Sequence, residues 1–193
     1  MFKIRIGSLI CAGSLAFASC FVGRAANAAE PFSLISSAFK DNGELAVKNA
    51  GNFKKNPNCV GENVSPPLSW ANPPAGTKSY ALVMFDPEGH EGLTFVHWVS
   101  YGIPTSVTGF AEGEVSKLND KYVGGKNGLK VGHYFGPCTP PHTDWHHYFF
   151  MIIATDLDPK ALPPGLTYDE LVQKLQGHAK GAASLIGRFK KPS

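Results

Sequence analysis

Residues 132–150 read GHYFGPCTPPHTDWHHYFF, and the rest of the chain is arranged around them. An aromatic, glycine-containing turn, Tyr134-Phe135-Gly136-Pro137, leads into Cys138-Thr139-Pro140-Pro141. Proline lacks the N–H that a helix or sheet interior needs, so three prolines in five residues impose a stiff, irregular loop. The stretch then closes on His146-His147-Tyr148-Phe149-Phe150 and runs on into the strand-like Met151-Ile152-Ile153-Ala154. Glycine admits close backbone approach, and Gly136 is expected to leave its N–H open to a visitor. Four of the seven histidines, His133, His142, His146 and His147, lie in this stretch. A rigid loop with polar rings beside it makes one wall of a binding site.

Working outward, the strand signals dominate. Residues 32–39, FSLISSAF, alternate loosely and read as a first strand. Residues 49–67 are rich in Asn, Gly and Pro; a connection this long in a compact domain is functional or well tied down, and Trp70 is expected to anchor it in the core. Residues 79–85, SYALVMF, are the cleanest strand and empty into Asp86-Pro87-Glu88-Gly89. Residues 93–101 form the next strand, with His97 in its middle, and residues 148–156 form a long buried one. Residues 105–128 read as a polar surface segment. Near the C-terminus, Thr167 with Glu170 three positions on makes a capping box, followed by an apolar face of Leu171, Val172 and Leu175. Ala-rich residues 179–186 suggest a second helix ended by Gly187. The strands are not separated by regular helices, so the expectation is a mainly β, antiparallel core with peripheral C-terminal helices.

The first 29 residues read as a secretory signal: Lys3 and Arg5, an apolar run, then Ala26-Asn27-Ala28 before a cut after Ala28. That makes residues 1–28 a signal peptide and residues 29–193 a single domain in the periplasm or outside the cell. A lipoprotein cut before Cys20, in Phe17-Ala18-Ser19-Cys20, is the other reading of the same leader. The leader carries three of the 18 Lys and Arg residues and none of the 15 acids, so the remainder is formally neutral. There is no basic face for nucleic acid and no cationic cluster for anionic membranes, and no stable membrane insertion is expected after cleavage. Of the four cysteines, Cys59 and Cys138 outlast the leader. In an oxidising compartment they could pair, at about 4 kcal/mol on the chain-entropy estimate, or stay as two separate buried thiols.

The chemistry-bearing residues converge on one hypothesis. Asp86 ends a buried strand, His97 lies on the strand that returns beside it, and His146 and Tyr148, two apart, share a strand face. With the Gly136 turn they would offer imidazole, phenol and main-chain donors to a phosphate ester. Asp86 would accept from an imidazole or meet the cationic part of a zwitterionic headgroup. Singly, each has a plainer reading. A lone strand histidine is more often a satisfied core residue, Asp86 before Pro87 is often a turn-former, and His142 and His147 suit the surface.

Their order decides between these readings. Asp86-Pro87-Glu88, His97-Trp98, the 132–137 turn with Cys138, and His146-His147-Tyr148 resemble the phosphatidylethanolamine-binding protein (PEBP) family, in its bacterial Raf kinase inhibitor-like branch. Asn63-x-Ser65-Pro66-x-Leu68-x-Trp70 and Gly177-His178-x4-Ala183-x-Leu185-Ile186-Gly187 match its early and late segments. The resemblance implies an antiparallel β-sandwich with a small anion pocket formed by Asp86, His97, Gly136, Pro137, His146 and Tyr148. It also implies a binding protein rather than an enzyme, with no cofactor, no metal and a phosphate-bearing ligand. A partner protein whose action it modulates and a homodimer are both left open. Two departures border the pocket. The family pattern continues from Asp-Pro-Asp into Ala-Pro, where this chain has Glu88-Gly89-His90, and residues 139–145, TPPHTDW, have their own composition. The competing expectation is a metal-assisted hydrolase using His142, Asp144, His146 and His147. A third is an interaction protein with a vestigial pocket.

Overall fold

The computed structural model describes residues 30–193; the signal-peptide and lipoprotein readings fall on residues 1–29 and lie outside them. Among the described residues nine strands make two sheets. β1 (Ser33–Ile35), β3 (Leu68–Ala71) and β6 (Gly109–Phe110) form a three-stranded sheet in the order β1-β3-β6. β2 (Gly43–Glu44), β4 (Ser79–Asp86), β5 (Phe95–Pro104), β7 (Val123–Gly124), β8 (His146–Thr155) and β9 (Ala179–Phe189) form a six-stranded sheet, ordered β2-β9-β8-β4-β5-β7. Only the short β2–β9 pairing is parallel; every other pair is antiparallel.

The long sheet is buried on both faces, which is why β4 reads as an unbroken apolar run rather than an alternation. Tyr80, Leu82 and Met84 face the small sheet, joining Leu34, Leu68, Trp70, Trp98, Phe110 and Phe150 in one core. Their neighbours Ala81 and Val83 point the other way, to a second core with Val99, Tyr101, Leu171 and Leu175. The last two come from a helix, Tyr168–Leu175, laid over the outer face of the sheet. Its capping box is formed: Thr167 Oγ1 accepts the Glu170 N–H at 3.3 Å, and Glu170 Oε2 accepts the Thr167 N–H at 2.8 Å. Val172, expected on its apolar face, is turned to solvent. Among the described residues no helix is long and apolar enough to cross a membrane.

Three expectations are corrected. Residues 179–186 are not a second C-terminal helix but most of β9, which pairs with β8 along its whole length. The first strand is only Ser33–Ile35. Residues 105–128 are not merely surface: they supply β6 and β7 and bury Phe110, Val115 and Tyr122.

Candidate functional site: a polar cavity at the strand ends

Asp86, the last residue of β4, follows Tyr80, Leu82 and Met84 on the sandwich side and is buried. Its Oδ1 accepts the N–H groups of Glu88 and Gly89, each at 3.0 Å, closing the turn that leaves the strand. Gly89 is needed for that fit: a Cβ there would lie 2.8 Å from Phe95 Cβ and 3.0 Å from Asp86 Oδ2. The other oxygen, Oδ2, accepts from His146 Nδ1 at 2.8 Å. His146 begins β8 and Tyr148 follows two residues on, so the pleat sends both to the same side. The Tyr148 hydroxyl lies 3.1 Å from Thr139 Oγ1.

His97 reaches the site through an irregularity. β4 and β5 pair Met84 with Trp98 and then Phe85 with Val96, so β5 carries one extra residue at this point. Bulges of this kind re-aim a side chain next to functional sites. The His97 ring packs edge-on to Phe95 and Tyr148, with centroids at 4.8 and 5.1 Å, and stacks on Phe135 at 5.7 Å. Its Nδ1 is 2.8 Å from the Phe135 carbonyl. A carbonyl can only accept, so Nδ1 carries the proton and Nε2 presents a lone pair.

The two imidazoles are therefore unlike. Burial pushes His97 down to about 4, and the Phe135 carbonyl and the Asp86 charge only partly offset it. His97 is neutral at pH 7. His146 moves the other way, raised by its hydrogen bond to Asp86 against the opposing effect of burial, with the Asp86 and Glu88 charges adding to the rise. Burial also lifts the Tyr148 phenol, which stays protonated. The site thus offers a carboxylate-held ring whose proton affinity is raised, a phenol O–H and a neutral ring that accepts. The expectation that both histidines act as donors is corrected for His97.

Asp86, His97, His146 and Tyr148 line one cavity of about 500 Å³. Gly136 and Pro137 do not line it; they are buried behind its wall. The Gly136 N–H, expected to be open, donates to Asn63 Oδ1 at 2.8 Å, and the Pro137 carbonyl accepts from Gly51 at 2.7 Å. Gly136 is a glycine for packing: a Cβ would sit 2.0 Å from the Asn49 carbonyl oxygen.

Residue-by-residue reading missed other parts of the cavity. Thr139 and Phe135 come from the central loop, and Phe53, Asn56 and Asn58 come from the Asn-rich segment. The Cys59–Cys138 disulfide joins those two loops, so the cysteine pair was the signal that could have brought them in. Glu88 also lines the cavity while accepting from His147 Nδ1 at 2.8 Å and from the His147 N–H at 3.1 Å. Burial raises the Glu88 carboxyl, but these bonds outweigh it and hold the group low.

The metal-hydrolase cluster does not assemble. His146 and His147 are consecutive on a strand, point to opposite faces, and bond to different carboxylates, Asp86 and Glu88. His142 is exposed on the loop. Among the described residues no group of three His, Cys, Asp or Glu side chains is placed to hold a metal ion.

Comparison with known proteins identifies the family. The family model described as phosphatidylethanolamine-binding protein matches residues 35–190. A UPF0098 protein of Methanothermobacter thermautotrophicus is 37% identical over 150 residues, covering 76% of this chain and 95% of its own. LppC of Mycobacterium tuberculosis, named as a lipoprotein, is 36% identical over 166 residues, covering 85% of this chain and 75% of its own. The crystal structure of Escherichia coli YbcL, described as a new member of the mammalian PEBP family, superposes with a TM-score of 0.73 at 26% identity, covering 82% of this chain and 98% of YbcL. With β4, β5 and β8 converging on one polar cavity, the chain belongs to the phosphatidylethanolamine-binding protein family.

Proposed function

We propose that this protein is a non-enzymatic binding protein for a small phosphate-bearing anion, held at the Asp86–His97–His146–Tyr148 cavity. One observation carries the reading: the buried Asp86 carboxylate holds the His146 imidazole at 2.8 Å and raises its proton affinity, beside the neutral His97 ring. The pairing has a chemical logic. A phosphate monoester carrying one proton accepts from His146 and Tyr148 and donates its P–OH to His97 Nε2. The carboxylates of Glu88 and Glu91 at the same cavity suit a cationic end, which makes a zwitterionic headgroup such as phosphorylethanolamine the natural guest. The leader-like N-terminus and the lipoprotein relative support action outside the cytoplasm, where the liganded protein could modulate a partner protein.

The test is calorimetric titration with phosphorylethanolamine and with inorganic phosphate. His146→Ala and His97→Ala are expected to lose measurable binding while unfolding cooperatively in urea. Unchanged affinity in either variant would remove that residue from the site.

A further inference from the structure

A second cavity, of about 510 Å³, adjoins the first. It is lined by Lys54, Lys55, Asn63, Val131 and His133, and it shares Phe53, Leu129 and Phe135 with the first cavity. Phe135 is 8% exposed and forms the common floor. Phe53 and Leu129 are 43% and 37% exposed, so the boundary between the two spaces is made of apolar surface side chains. Apolar side chains grouped at a concave surface mark a place where something is covered on binding.

The charges of the two cavities differ. The first holds three carboxylates, from Asp86, Glu88 and Glu91, against its imidazoles. The second is lined by no carboxylate and carries two ammonium groups. Among the described residues neither Lys54 nor Lys55 is within salt-bridge distance of an acid; both are exposed. The covalent frame also links the spaces. The segment carrying Phe53, Lys54 and Lys55 leads to Cys59, whose disulfide partner Cys138 lines the first cavity.

We infer that the second cavity is a subsite for the remainder of the same ligand: an apolar, flat arm that crosses Phe53, Leu129 and Phe135 and ends in a second negative charge beside Lys54 and Lys55. The ligand class is then a phosphate monoester of an elongated, partly aromatic acid, of which a headgroup such as phosphorylethanolamine would fill the first cavity alone. The inference rests on the phosphate reading of the first cavity. The apolar arm gains by leaving water, the rings of Phe53 and Phe135 suit a flat group, and the terminal charge meets the ammonium groups at a solvated rim.

The experiment compares three probes by calorimetry: inorganic phosphate, biphenyl-4-yl phosphate and 4′-carboxybiphenyl-4-yl phosphate. The aryl phosphate is expected to bind about tenfold tighter than phosphate, and the carboxylate to add about threefold more at low salt. The double variant Lys54→Ala/Lys55→Ala is expected to erase the carboxylate's advantage and leave the affinity for inorganic phosphate unchanged. Phosphate binding with no gain from the arm overturns the subsite and leaves the anion site standing. A carboxylate advantage that survives the double variant overturns the role of the two lysines. Binding of none of the three probes overturns the anion reading and the subsite together.

Discussion

Acidification is expected to weaken this fold well above the pH at which carboxylates protonate, and His97 is the reason. Its buried ring titrates near 4 in the folded protein against 6.5 when exposed. Between those values the unfolded chain binds a proton that the folded chain refuses, so stability falls as pH falls. The stabilisation is fully present above 6.5 and is lost progressively toward 4. At about 1.4 kcal/mol per pH unit, the loss is about 2 kcal/mol by pH 5 and about 3 kcal/mol at its limit. That is a large share of the ~5–15 kcal/mol typical of a domain. Other groups act elsewhere. Glu88 and Glu114 are held below 4.5, so their contributions fade only under more acidic conditions. His146 is raised, so its contribution is complete below 6.5 and is lost as pH climbs through its folded value. The assay is urea unfolding at pH 7.5, 6.5, 5.5 and 5.0 in phosphate-free buffers, for wild type and His97→Gln. The glutamine cannot titrate, and its amide can still donate to the Phe135 carbonyl. The variant is expected to start less stable at pH 7.5 and to lose about 2 kcal/mol less than wild type on the way to pH 5. Parallel losses in the two proteins would refute the account, as would a wild type that is flat over this range.

Breaking the Cys59–Cys138 bridge by Cys→Ser replacement of both residues is expected to cost about 4 kcal/mol, because 79 residues separate the pair; urea midpoints measure it, and a loss below about 1 kcal/mol would show that the loops are held by their other contacts. Gly136→Ala drives a methyl group into the Asn49 carbonyl at 2.0 Å and should destabilise the fold by about 2–3 kcal/mol, read as a lowered thermal midpoint. Tyr148→Phe leaves the Thr139 hydroxyl without its partner and should cost about 1 kcal/mol of stability, with a several-fold loss of phosphate affinity by calorimetry.

The polar cavity was legible in the sequence because three strands betray themselves by composition. β4 and β8 are apolar runs long enough to cross the core, and the residues where they begin or end, Asp86 and His146, inherit a common edge. The capping box at Thr167 was legible for a related reason: its signal lies within four residues. β9 was not. Alanine-rich residues favour a helix in isolation, but pairing with β8 along a full strand and packing against the core override that weak preference. The usable clue was Leu185-x-Gly187-x-Phe189, an inward-facing set of period two. Its Gly187 sits where a Cβ would strike Leu45 at 2.7 Å. The fate of the Gly136 N–H was equally hidden, since its acceptor, Asn63, lies 73 residues away. The differing protonation of the two histidines depends on enclosure and partner, which no spacing encodes.

The extra residue in β5 carries a last implication. Trim it, and the ladder beyond could zip in continuous register, leaving a better-knit sheet and an imidazole aimed elsewhere. The aim of the His97 ring hangs on a local flaw in the weave, so it could change while the framework around it keeps its shape.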